Sequence, residues 1–131
     1  MTSPNKMEVK RVDVPDEVRP FVDKGKLEVL NFERGTVSRA TFEPGWRWSQ
    51  HVKPLAKTES CEVSHLGACL SGRMRVVMND GAEFDLKPGD YFAIPAGHDA
   101  YVVGDEPCVL LDFAGAENYA KEASGGKRKA A

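Results

Sequence analysis

Three histidines, His51, His65 and His98, and three cysteines, Cys61, Cys69 and Cys108, are the residues of this 131-residue chain best suited to chemistry. Neutral imidazoles gathered in one hollow would hold a divalent transition metal such as zinc, iron, nickel, manganese or copper. If His65 faces inward along a strand, period-two alternation puts Cys61, Val63, Gly67 and Cys69 on the same side, and Cys61 becomes a fourth candidate ligand. Cys69 and Cys108 are expected to be buried small hydrophobes, since reactive thiols need electropositive or polar surroundings. The odd cysteine count without a CxxC pair favours reduced thiols over a disulfide framework. A second reading stays open at this level: the histidines line a pocket as hydrogen-bonding groups and hold no ion.

Arg47 and Ser49 share strand parity with His51, which would line the pocket with a cation and put Lys53 at its rim. That favours a small polar or acidic ligand. The alternative is that both cations are solvated and pair with surface acids. Tyr101 reaches the pocket with its hydroxyl or serves as a core aromatic. Glu62, Asp90 and Asp99 are the carboxylates nearest these residues in sequence, but none is placed as a general acid or base. Trp46 and Trp48 fall on the opposite face from His51 and need a cover, either Phe21 of the N-terminal segment or a second subunit.

The elements that must position these residues are short. Val14-Pro15-Asp16-Glu17-Val18 has the proline and acids of a helix start, ending near Asp23-Lys24-Gly25. From there apolar runs alternate with Gly, Pro, Asn and Asp about every ten residues, the spacing of an antiparallel sandwich or barrel. Strands are expected at Leu27 to Phe32, Thr36 to Phe42, Trp46 to Val52, Cys61 to Leu70, Arg73 to Met78, Ala82 to Leu86, Tyr91 to Ile94, Ala100 to Val103 and Cys108 to Phe113. Asn79-Asp80-Gly81 makes a hairpin turn, and no helical pattern interrupts Leu27 to Phe113, which excludes parallel βαβ units.

Two stretches, Gly45 to Gly72 and Gly89 to Val103, resemble the paired motifs of the cupin family, G-x5-H-x-H-x3,4-E-x6-G and G-x5-P-x-G-x2-H-x3-N. The second is the firmer match: Gly89, Pro95 and Gly97 keep the order and spacing in GDYFAIPAG. In the first, His51 stands at the first histidine position, Lys53 at the second, and His65 at the glutamate counted back from Gly72, with a longer loop over Pro54 to Ser60. In the second, Ala100 takes the histidine position and His98 appears two residues earlier. The resemblance implies an all-β, antiparallel, double-stranded jelly-roll barrel with a short N-terminal helix. It divides the chain into an N-terminal segment over 1–25, a barrel over 26–115 and a flexible basic tail over 116–131. It also implies a homodimer paired through the outer sheet.

The expected function is a small-molecule or metal-binding module, such as a sensor or accessory subunit, with a histidine-containing pocket. The alternative is a metal-dependent dioxygenase, isomerase or lyase using His51, His65 and His98. A formal net charge of −2 gives no field for nucleic acid, and the mean hydropathy of −0.42 leaves no membrane span. No P-loop, dinucleotide fingerprint or G-x-S-x-G is present, so no nucleotide cofactor is expected, and without a signal-peptide core the cytoplasm is the expected compartment.

Overall fold

A computed structural model describes residues 6–114 and 119–121. Its strands are β1 (Glu17–Pro20), β2 (Gly25–Phe32), β3 (Gly35–Phe42), β4 (His65–Ser71), β5 (Met74–Met78), β6 (Glu83–Leu86), β7 (Tyr91–Ile94), β8 (His98–Val102) and β9 (Cys108–Asp112). Single-turn helices α1 (Trp48–His51) and α2 (Lys53–Ala56) lie between β3 and β4. One sheet runs β1-β2-β3-β9-β4-β7 and the other β6-β5-β8, with antiparallel pairing throughout. β3 pairs with β9 and β9 with β4, the long-range crossings that distinguish a jelly roll from a simple meander.

Alternation decides what faces inward. On β8, His98, Ala100 and Val102 are buried and Asp99 and Tyr101 are not; on β9, Cys108, Leu110 and Asp112 are buried. Leu27 and Val29 of β2 complete that interior with Met74 and Val76 of β5, all in one core cluster. Gly67 is required where β4 crosses β9, since a Cβ there would lie 1.8 Å from the Leu111 carbonyl oxygen. The Ser71-Gly72 break expected from sequence is the β4–β5 turn, where Gly72 takes φ +74° against Pro107.

Two expected elements differ. The N-terminal helix is absent: Glu17–Pro20 is a strand in register with β2, pairing Glu17 with Val29 and Arg19 with Leu27. Proline and acids are compatible with an edge strand as well as a helix start, and the free edge of β2 decides between them. The strand expected over Trp46 to Val52 is replaced by α1. The apolar positions 46, 48 and 52 fit period two, but Trp48 and Val52 also stand one helical turn apart, and both are fully buried. Beside β8 only a single bridge forms, Arg47 to Tyr101, before the chain coils and His51 N–H and Val52 N–H donate back to Arg47 and Trp48.

The helix removes the premise that the two tryptophans sit on an outer face. Trp46 and Trp48 are each 2% exposed. Phe21 covers Trp46 from within the chain, 5.7 Å away between ring centroids, and stacks on Phe42 at 5.3 Å. Most of the basic tail lies outside the described residues. Tyr119 and Ala120, in the segment expected to be a flexible tail, are buried.

Candidate metal centre

Three loop-to-strand junctions build the site. β4 starts with His65 and β8 with His98, while Cys61 forms an isolated bridge to His98 through paired backbone bonds. The extended chain after Cys61 brings the thiol and the His65 ring back to the same spot, so Cys61 Sγ lies 3.7 Å from His65 Nε2. The His65 and His98 ring centroids are 5.4 Å apart. One donor atom from each of Cys61, His65 and His98 lies within 4.8 Å of the others.

The second ring nitrogens fix which lone pairs are available. His98 Nδ1 is 2.9 Å from the Pro95 carbonyl oxygen, which can only accept, so Nδ1 carries the proton and Nε2 is left with a lone pair. His65 Nδ1 is 2.5 Å from Asp112 Oδ2, and the same logic leaves its Nε2 facing Cys61. Asp112 is itself held by Ala114 N–H, 2.9 Å from Oδ1. A carboxylate and a carbonyl that orient two imidazoles in this way match the outer ring of partners around metal-ligating histidines.

Burial pushes the Cys61 thiol up to about 12. Burial, with the neighbouring His65, also holds His98 below its ordinary 6.5. A thiol that burial keeps protonated, beside an imidazole that burial keeps from charging, fits an ion that would itself ionise the sulfur. On a tetrahedral zinc a thiolate and an imidazole nitrogen stand about 3.6 Å apart, which the 3.7 Å separation already meets.

Inside the sheets lies a cavity of about 50 Å³, walled by Trp46, Phe42 and aliphatic side chains, with His65, His98, Asp112 and Tyr119 as its polar or titratable lining. The Tyr119 ring packs edge-on to His65 at 5.1 Å, and Arg19 secures that segment by donating to the Tyr119 carbonyl oxygen at 2.7 Å.

The remaining expected site residues lie elsewhere. His51, on α1 rather than a strand, is outside the donor group; its Nδ1 accepts Arg47 N–H at 3.0 Å and closes the helix turn. Arg47 and Tyr101 do not line the cavity: the Arg47 guanidinium stacks on the Tyr101 ring at 4.3 Å, on the outward side of β8, and contacts Asp99 at 3.6 Å. Strand parity failed for Arg47 because α1 begins immediately after it, and for Tyr101 because His98 and Ala100 take the inward positions. Lys53 pairs with exposed Glu59 at 3.3 Å. Glu62 accepts from Ser60, Asp90 from Lys87 within its turn, and Asp99 from Ser49 and Ala100 beside its contact with Arg47, so each of these carboxylates is engaged elsewhere. The carboxylate that does face the cluster is Asp112, whose parity with Cys108 and Leu110 marks it as an acid on an inward face.

The sequence pattern of the Cupin domain family matches residues 39–114, more than half the chain. The chain is a cupin. Solved structures agree on the fold. The polyketide cyclase RemF from Streptomyces resistomycificus superposes with a TM-score of 0.59 at 19% identity, over 86% of this chain and 81% of that one. An oxalate decarboxylase from Lactobacillus farciminis, solved as a formate complex, gives 0.57 at 21% identity, and the capsular polysaccharide assembling protein CapF of Staphylococcus aureus gives 0.53 at 17%. This cupin covers 85% and 88% of itself in those two matches but only 34% and 31% of the larger proteins. No curated protein sequence matches it. Among the described residues no helix is long and apolar enough to cross a membrane.

Proposed function

We propose that this cupin binds a divalent transition-metal ion through Cys61 Sγ, His65 Nε2 and His98 Nε2, and binds a small molecule in the adjoining cavity. The observation that carries the reading is the cluster with its supports: one donor atom each of Cys61, His65 and His98 lies within 4.8 Å of the others, with His65 Nε2 3.7 Å from the thiol, while the Asp112 carboxylate and the Pro95 carbonyl each take an Nδ1–H. A thiolate with two imidazoles favours zinc or copper over manganese, which prefers oxygen ligands. His51, retained by its turn bond to Arg47, is not needed in this set.

Three protein ligands, rather than four, are the count of a centre with an open coordination position, and this favours catalysis as a second reading. The ion would supply Lewis acidity there. Asp112 would hold His65 in its tautomer, and the apolar walls would keep bulk water out. Elemental analysis of tag-free protein after zinc reconstitution and desalting tests the binding reading. One zinc per chain, lost in His65→Ala, is expected; no retained zinc, copper, iron, nickel or manganese would remove it.

A further inference from the structure

The two sheets part along one seam. β7 is an edge of the larger sheet and β6 an edge of the smaller, and the Lys87–Asp90 turn joins them at one end without a ladder between them. Phe84 records the gap. It stands directly opposite Val76 in the β5–β6 register, so the two share the inward face, yet Val76 is 2% exposed and Phe84 is 61% exposed. The space above Phe84 is a groove of about 570 Å³, within the range of small-molecule sites, walled by Val76, Phe84 and Leu86 on one side and Phe92 and Ile94 on the other.

Val76, Phe92 and Ile94 line both this groove and the 50 Å³ cavity, so the two adjoin along these side chains. The cavity has room for about four water-sized groups, enough for the head of a ligand but not its body. One of its lining residues carries a donor without an acceptor. Trp46 lines it, is 2% exposed, and its indole Nε1–H has no partner among the described residues. A buried donor left unpaired costs about 1–3 kcal/mol, which an acceptor in the cavity would recover. Asp80 and Asp90 sit at the groove and Asp85 is occupied by Arg75, so the rim repels anions. Arg47 and Lys53, the cations that argued for an acidic ligand, line neither space.

We propose that groove and cavity form one binding site for an uncharged, flat, apolar ligand bearing a single hydrogen-bond-accepting oxygen. Its body lies between Phe84 and Phe92 and its oxygen meets the indole N–H of Trp46. Aromatic faces on both walls suit a fused-ring body by offset or edge-on packing. The site does not require the ion: the orphan donor and the open seam are present in the metal-free chain.

The test uses the full chain stripped with EDTA, so its result is independent of metal binding, which elemental analysis scores separately. The probes are 2-acetonaphthone and its carbonyl-free analogue 2-ethylnaphthalene, titrated while the two indole N–H resonances are followed by ¹H–¹⁵N NMR. The ketone is expected to bind about threefold to tenfold tighter than the hydrocarbon and to move the Trp46 resonance while leaving Trp48 in place. Phe84→Asp, at an exposed position and therefore benign to the fold, is expected to weaken both probes at least tenfold. Trp46→Phe assigns the resonance and, if folded, is expected to abolish the preference for the ketone. Equal affinity for the two probes, an unmoved Trp46 indole, or undiminished binding in Phe84→Asp would overturn the proposal.

Discussion

Replacing Asp112 by asparagine is the sharpest perturbation of the cluster that leaves its ligands untouched. Asp112 offers two oxygens to two donors: Oδ2 to His65 Nδ1–H at 2.5 Å and Oδ1 to Ala114 N–H at 2.9 Å. Asparagine has a single oxygen. Either the imidazole proton loses its acceptor, or the ring adopts the other tautomer, accepts from the amide and turns an N–H toward Cys61, which takes its lone pair out of the site. Both side chains of the pair are only 11% exposed, so water compensates little. A hydrogen bond to a charged group in such a place is worth about 1.5–3 kcal/mol. At about 1.4 kcal/mol per decade this corresponds to roughly 10- to 100-fold weaker zinc binding, the size seen when such supporting carboxylates are removed. Competition against a chromophoric zinc chelator measures it, with a urea unfolding curve as a check that the variant is folded. Zinc affinity within twofold of wild type in folded Asp112→Asn would refute the argument that the carboxylate sets the ligand tautomer.

Other consequences follow from packing and charge. Trp48→Ala should cost about 3–5 kcal/mol in urea unfolding, because the ring is a core element and not an outer-face aromatic. Gly67→Ala should unfold the protein or cost more than the usual ~1 kcal/mol of a point change, since the new Cβ meets the Leu111 carbonyl at 1.8 Å; circular dichroism melting would show it. His98 is held neutral in the fold by burial, below its unfolded 6.5. Below that value the unfolded chain takes up a proton that the folded chain resists, so this group's contribution to stability falls as pH drops from about 7 toward the folded pKa. Urea midpoints of metal-free wild type should therefore fall more between pH 7.5 and 5.5 than those of His98→Asn; equal falls would contradict the assignment.

The barrel was legible because its strands announce themselves locally. Short runs such as MRVVM, HDAYV and CVLLD are rich in strand-forming residues, Ala100 alternates with Asp99 and Tyr101, and Gly72, Gly81 and Gly97 punctuate them, so strands and turns could be read locally. The site was legible to the extent that it lies on such strands. His65 and His98 begin β4 and β8, and Cys61 follows from His65 by the two-residue period of extended chain. His51 and Arg47 were misplaced because 46, 48 and 52 satisfy a strand period and a helical turn alike, and only the tertiary choice to bury Trp48 with Val52 breaks the tie. Parity on β9 marks Asp112 as inward, but its pairing with His65, the docking of Tyr119 by Arg19 and the open β6–β7 seam depend on contacts between segments far apart in the chain, and no local pattern encodes those.

Cobalt substitution tests the central claim most directly, since it reports the ligand atoms as well as the ion. The metal-free chain titrated with Co²⁺ should take up one ion and develop a thiolate-to-cobalt charge-transfer band together with the intense visible absorption of a tetrahedral site. The charge-transfer band should vanish in Cys61→Ser while His51→Ala leaves the whole spectrum unchanged. A spectrum without sulfur character, or one lost with His51 and kept without Cys61, would contradict a centre built from Cys61, His65 and His98.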